Sequence, residues 1–212
     1  MITLHLVRHG ETAFNRDGKG LGQADVPLTD LGERQAQASG AAFAGTSVVR
    51  ILSSPLVRAH KVAEAISAVT GIPVEIRETL TEMDVGDTEG LDFADMRARF
   101  PEFIHQWSGP HAVDTRLPDG ESLRDVAVRL GPIVAEIQSI ETGDVVLVSH
   151  NFVLKALLCA LLDVPLENFR AFQMDLASIT ALTLRNRRVA VRRLNDICHL
   201  DALNLADPAR SV

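Results

Sequence analysis

Hydrophobic residues along the chain fall into two rhythms. Short β-branched runs at Ile2 to Val7, Val48 to Leu52, Val74 to Ile76 and Val145 to Val148 are bounded by polar residues or glycine, as strands buried on both faces are. Between them, apolar residues recur every three or four positions, which predicts helices. One is capped by Thr29 or Asp30, with Glu33 completing a capping-box-like signal, and runs to about Phe43. A second carries Val57, Val62, Ala65, Ile66 and Val69. A third opens at Ser122 as N-cap and carries Leu123, Val126, Ala127, Leu130, Val134, Ile137 and Ile140. A fourth, Phe152 to Leu162, starts from Asn151. Strands alternating with helices predict an α/β fold, three layers (α/β/α) around a mostly parallel central sheet. The tail differs: Ser178 to Leu184 and Arg188 to Leu194 are β-rich and joined by the turn-prone Arg185 to Arg187, a hairpin near the sheet edge.

The stretch from about Leu91 to Glu121 breaks this rhythm with Pro101, Pro110 and Pro118 and reads as a small insertion or lid. Pro101 should divide it into two short helices. Phe93, Met96, Phe100, Ile104 and Trp107 fall near helical spacing and are expected to pack into a core rather than cage a substrate. Arg97, Arg99 and Arg116 are expected in solvent. The length of 212 residues suits one domain, 1–212, with that insertion. A hydrophobic fraction of 46% and a charged fraction of 23% are ordinary for a globular chain. No apolar run is long enough to span a bilayer and no cationic leader precedes Arg8, so a membrane partner is not expected and the cytoplasm is the default compartment. Cys159 and Cys198 form no metal-ligand pairing, which argues against a disulfide framework or structural zinc. The net charge of -7 argues against nucleic acid as a partner and requires any anionic substrate to meet locally concentrated positive charge. The oligomeric state is left open, a homodimer included.

In open parallel sheets, ligands bind where the chain leaves the carboxyl ends of the strands. The polar clusters lie there: Arg8-His9-Gly10-Glu11-Thr12 after the first strand, Ser53-Ser54-Pro55-Leu56-Val57-Arg58 after the second, Leu80 to Gly86 after the third, and Ser149-His150-Asn151 after the fourth. Two arginines offer planar, fork-shaped donors matched to phosphate oxygens. Gly10 leaves room where a ligand approaches the backbone. A neutral imidazole can attack phosphorus and form a phosphohistidine. A carboxylic acid can protonate the departing alkoxide and then activate water, and a second histidine can donate hydrogen bonds to the transferring phosphoryl group. This scheme requires no metal and no cofactor.

LVRHGETAFN, DVPLTDLGERQA, SSPLVRAHKVAEAI, LTEMDVGDTEG, DGESL and VSHNFVLKALL, in this order and spacing, resemble the histidine phosphatase superfamily, whose relatives include the cofactor-dependent phosphoglycerate mutases. NDICHL at 195–200 resembles a C-terminal motif of its phosphatase members. The resemblance implies a phosphoglycerate mutase-like fold and assigns His9 as nucleophile, Arg8 and Arg58 as phosphate ligands, Glu82 as proton donor and His150 as the second histidine. It implies phosphate or substrate contacts at Asn15 and, less directly, at Thr12, Gly22 and Asn151. Departures from the family pattern stand at Leu21, where glutamine is common, at Thr88 in place of tryptophan, at Asn151 in place of glycine and at Leu176 in place of asparagine. They bear on substrate identity and leave the catalytic set intact.

The favoured reading is a metal-independent phosphatase acting on phosphomonoesters of small metabolites through a phosphohistidine at His9. The compact interval Met83 to Ser149 disfavours the alternative, a phosphoglycerate mutase-type transfer, because the mutases tend to be longer there. A metal-dependent hydrolase liganded by His9, His150 and an acid, or a non-catalytic phosphate-binding module, ranks lower. His5, His60, His105 and His111 are expected to be packed or surface residues, and His199 structural.

Overall fold

The computed structural model describes residues 1–185, 188–201 and 203–206. In chain order it runs β1 (Ile2–Arg8), α1 (Ala13–Arg16), α2 (Asp30–Ala41), β2 (Val48–Ser53), α3 (Val57–Thr70), β3 (Val74–Ile76), α4 (Phe93–Arg99), α5 (Pro101–Trp107), α6 (Leu123–Arg129), α7 (Gly131–Ser139), β4 (Gly143–Ser149), α8 (Asn151–Leu162), β5 (Ile179–Arg185), β6 (Arg188–Asp196) and α9 (Cys198–Asp201).

The sheet order is β3-β2-β4-β1-β5-β6. The first four strands are parallel, β5 is antiparallel to β1, and β6 pairs antiparallel with β5 at the edge. The hairpin is therefore present; the turn expected at Arg185 to Arg187 falls on residues 186 and 187, outside the described residues. Alternate residues of each strand feed opposite faces. Leu4, Leu6, Leu52, Val145 and Leu147 join the core beneath α6, α7 and α8, whereas Val7, Ile51, Val146 and Val148 join the core beneath α2 and α3. This double burial is why the strands read as unbroken apolar runs. Each such Leu, Ile or Val, fully removed from water, contributes about 1.5–3 kcal/mol.

The structure differs from the sequence pattern in three places. The N-cap of α2 is Thr29, whose hydroxyl accepts from the Gly32 N–H (3.1 Å), so no Asp30–Glu33 capping box forms, and the helix ends at Ala41. Phe43 lies beyond it, buried edge-on against His5 at 5.1 Å. The pattern from Ser122 to Ile140 is delivered as α6 and α7. Ser122 does cap α6, in a box with Asp125, but Pro132 has no N–H to give the Val128 carbonyl and the helix breaks at Leu130. In the insertion, Pro101 separates α4 from α5 as expected. Core packing holds at Trp107, which lies against the main core, and fails at Phe93, 55% exposed under the Arg97 guanidinium. Arg97 and Arg99 are in solvent, and the exposed Arg116 pairs with Asp125 at 2.8 Å. No helix among the described residues is long and apolar enough to cross a membrane.

Candidate active site

The register Arg8↔Ser149 and Ser53↔Val148 brings the carboxyl ends of β1, β4 and β2 level, so their exit loops share one rim. His9 leaves β1 with its N–H donating to the Ser149 carbonyl (3.1 Å), while its own carbonyl accepts from Ala177 (2.9 Å). Its ring is buried beside that of His150, centroids 5.1 Å apart. His9 Nδ1 lies 2.7 Å from the Gly10 carbonyl, which can only accept, so Nδ1 carries the hydrogen and Nε2 has the free lone pair. Burial, then Arg58 and Arg8, holds the His9 pKa well below its ordinary value; the same causes act on His150. Both rings are neutral at neutral pH.

Arg8 donates from Nη1 to the Met174 carbonyl (2.5 Å). Arg58, in the first turn of α3, is fully buried, and its Nη1 and Nη2 donate to the carbonyls of Ala24 (2.8 Å) and Gly22 (2.6 Å). Glu89 grips that loop in turn, its carboxylate accepting from the N–H groups of Gly22 (2.8 Å) and Ala24 (3.0 Å). Burial lowers the Arg58 pKa to about 10, which still leaves it cationic, and its Nε has no protein partner.

Glu82 is buried on the loop after β3, its carboxylate accepting from the N–H groups of Met83 (2.8 Å) and Phe152 (3.2 Å). Phe152 is in the first turn of α8, so Glu82 serves a helix end that the His150 side chain does not cap. Burial outweighs these two donors, and the Glu82 pKa is raised. His150 Nε2 lies 2.8 Å from the Ser54 hydroxyl, while Nδ1 is buried without a partner.

The remaining candidates sit around this centre. Thr12 and Asn15 form the capping box of α1: the Thr12 hydroxyl donates to Asn15 Oδ1 (2.9 Å) and accepts from the Asn15 N–H (3.2 Å). Gly22 packs on the Glu82 loop, where a Cβ would stand 2.7 Å from the Met83 carbonyl oxygen. Asn151 is the half-buried first residue of α8. Gly10 corrects the sequence reading. A Cβ there would meet the Gly32 carbonyl at 2.7 Å, so the glycine admits helix α2 and not a ligand. Glu11 fixes the same loop, accepting from the Thr29 hydroxyl (2.6 Å) and donating its N–H to Gln35 (2.8 Å).

Residues without a sequence signal complete the frame. Arg129 donates to the carbonyls of Thr79 (2.5 Å), Thr81 (2.7 Å) and Glu82 (3.1 Å) and pairs with Glu121 (3.0 Å), which itself accepts from the Asp84 N–H (2.9 Å). Among the described residues, no group of three or more His, Cys, Asp or Glu is placed to hold a metal ion. A buried neutral imidazole, a carboxyl whose pKa burial raises and two guanidinium groups around one rim can bind a phosphoryl group, accept it and, when the carboxyl holds a proton, protonate what leaves.

Residues 4–197 match the histidine phosphatase superfamily (branch 1). Phosphoserine phosphatase 1 of Hydrogenobacter thermophilus is 32% identical over 202 residues, 94% of this chain and 95% of that protein. A Citrobacter koseri protein named "Probable phosphoglycerate mutase GpmB" is 30% identical over 208 residues, 95% and 96% of the two chains. Among solved structures, a mycobacterial glucosyl-3-phosphoglycerate phosphatase superposes with a TM-score of 0.84 at 33% identity, covering 92% of this chain and 99% of that one.

Proposed function

This chain belongs to the histidine phosphatase superfamily and is a phosphatase of that family, and on that premise we propose that it hydrolyses phosphomonoesters of small metabolites through a phosphohistidine at His9. The observation that carries the reading is the contact of His9 Nδ1 with the Gly10 carbonyl, which leaves Nε2 as the attacking atom. Arg8 and Arg58 hold the phosphoryl oxygens, and His150 donates from Nδ1 once the Ser54 hydroxyl donates to its Nε2. In the first half-reaction an N–P bond forms at His9 Nε2 as the P–O bond to the alcohol breaks, and Glu82 gives its proton to the departing oxygen. In the second, Glu82 takes a proton from water, the water oxygen bonds to phosphorus, the N–P bond breaks, and phosphate leaves. Asn15, Thr12, Gly22 and Asn151 belong to the surrounding binding shell.

The named substrates of the relatives, phosphoserine and glucosyl-3-phosphoglycerate, are small phosphomonoesters and support this class. The negative chain opposes a polyanionic partner, and two free thiols suit a cytoplasmic setting. The relative named as a mutase favours one second reading, phosphoryl transfer between positions of one substrate. Incubation with 3-phosphoglycerate separates them: phosphate release supports the phosphatase, accumulation of 2-phosphoglycerate the mutase. His9→Ala is expected to lower kcat/KM on an aryl phosphate by at least about 10³-fold. Normal turnover by the pure variant would sink the assignment.

A further inference from the structure

The motif NDICHL, residues 195–200, takes no part in these steps, yet it touches the loop that backs two of their groups. That loop, residues 174–178, runs behind Arg8 and His9. The Met174 carbonyl accepts from Arg8 Nη1 (2.5 Å), the Ala177 N–H donates to the His9 carbonyl (2.9 Å), and the Ser178 carbonyl accepts from the Arg8 N–H (3.2 Å). The loop thus fixes the Arg8 guanidinium and the main chain around His9. It turns through a bond from the Ser178 N–H to the Asp175 carbonyl (3.1 Å), with Ala177 at a φ of 56°, a left-handed conformation unfavourable for alanine. Such a conformation persists only where the surroundings impose it.

Asn195, near the end of β6, supplies that constraint. Its Oδ1 accepts from the Asp175 N–H (2.6 Å) and its Nδ2 donates to Asp175 Oδ2 (2.9 Å), so one amide reads both the backbone and the side chain of Asp175. Asp175 Oδ1 accepts from Gln173 Nε2 (2.9 Å). Asn195 is itself left-handed, at a φ of 52°, and its N–H donates to the Thr180 hydroxyl on β5 (2.9 Å). From the other side, the Ala177 backbone hydrogen-bonds the ring of His199, whose Nε2 lies 3.3 Å from the Ser39 hydroxyl on α2. Leu200 packs with Ala177 and Ala38. Resting on the phosphatase reading of this site, we propose that Asn195 is a positioning residue: through Asp175 it sets the 174–178 loop, and through that loop the Arg8 guanidinium and the His9 main chain. Without it the Met174 carbonyl shifts, and Arg8 loses the acceptor that aims its planar fork at the phosphoryl oxygens.

The test exchanges the two partners in the full chain. Aspartate tolerates a left-handed backbone as asparagine does, so Asn195→Asp keeps that preference and replaces the Nδ2 donor by an oxygen facing the Asp175 carboxylate. It is expected to lower kcat/KM on an aryl phosphate about 10- to 100-fold and to raise the Ki of inorganic phosphate about tenfold. Adding Asp175→Asn supplies the donor from the other side of the pair, leaves an oxygen for Gln173 and restores the net charge. The double variant is therefore expected within about threefold of the wild type. Asp175→Asn alone is expected to show a smaller change in the same two constants, and it carries the comparison if urea unfolding shows Asn195→Asp not to be folded. Arg193→Ala, which breaks the neighbouring ion pair with Asp196 (3.0 Å) on β6, should leave both constants unchanged. Folded single variants with a lowered urea midpoint but unaltered kcat/KM and Ki overturn the proposal, and mean that NDICHL secures only the fold. A loss that the exchange does not recover, or an equal loss in Arg193→Ala, overturns it as well. If the wild-type protein releases no phosphate from the ester, or His9→Ala does so at the normal rate, the phosphatase reading falls and the positioning role with it.

Discussion

Burial does opposite things to the two kinds of titratable group at this rim, and both effects favour the first half-reaction. It pushes the His9 pKa down and the Glu82 pKa up, so in the proposed mechanism the histidine is an uncharged nucleophile while the carboxyl can still hold a proton. The sign follows for pH. Activity is lost on the acid side only as His9 protonates, well below 6.5, and on the alkaline side as Glu82 gives up its proton, above its ordinary 4.5. The kcat/KM profile is therefore expected to be displaced toward acid. Glu82→Gln cannot deliver that proton. It should reduce kcat/KM by about 10²–10⁴-fold on an alkyl phosphate and by clearly less on 4-nitrophenyl phosphate, whose phenolate leaves unaided. Equal losses on the two esters would remove Glu82 from the role of acid.

Four exit loops make the candidate site, and the loop after β3 is held differently from the others. β1, β2 and β4 are locked by pairing, whereas β3 has three residues and the chain beyond it is fixed by Arg129 through the carbonyls of Thr79, Thr81 and Glu82. Arg129→Met is expected to lower kcat roughly 10- to 100-fold with little change in KM, and to shift the alkaline limb assigned to Glu82. A KM effect with an unchanged pH profile would show that Arg129 acts elsewhere. Arg129 could not be read from the sequence because, Glu121 apart, its partners are backbone carbonyls some 50 residues away, which no residue pattern marks. β1, β2 and β4 were legible because their faces are buried on both sides, and the ordered motifs put His9, Arg58, Glu82 and His150 in the segments that follow the parallel strands. The break between α6 and α7 was also written in the chain, at Gly131-Pro132, yet the apolar spacing runs through it because Leu123, Val126, Leu130, Ile133 and Ile137 still fill one core. Gly10 was misread for a related reason: a glycine reports that something comes close, and here that is the backbone of α2 at Gly32.

The sheet order places β1 and β4 side by side at the point where the chain reverses its direction of travel across the sheet, so both histidines meet there. Around it helix α5 docks by Trp107 onto Phe152 and Phe169, which ties the 91–121 segment to the main core. We propose that residues 1–212 form one cooperative domain: fluorescence of the sole tryptophan and far-ultraviolet circular dichroism should then report coincident urea unfolding. An earlier tryptophan transition would mean that the 91–121 segment unfolds on its own. Stability should fall between pH 7 and pH 5. His9 and His150 take up protons below about 6.5 when unfolded but not when folded, and these two outnumber Glu82, whose raised pKa acts with the opposite sign, so the unfolded state binds more protons across that interval. A flat midpoint over this range would contradict their burial as neutral rings. The phosphohistidine itself is open to direct capture. During turnover of a phosphomonoester, quenched in base and digested, mass spectrometry is expected to find an acid-labile phosphoryl group on the peptide containing His9 and none in His9→Ala. Sustained turnover with that peptide unmodified, or with the phosphoryl group on another residue, would contradict the mechanism.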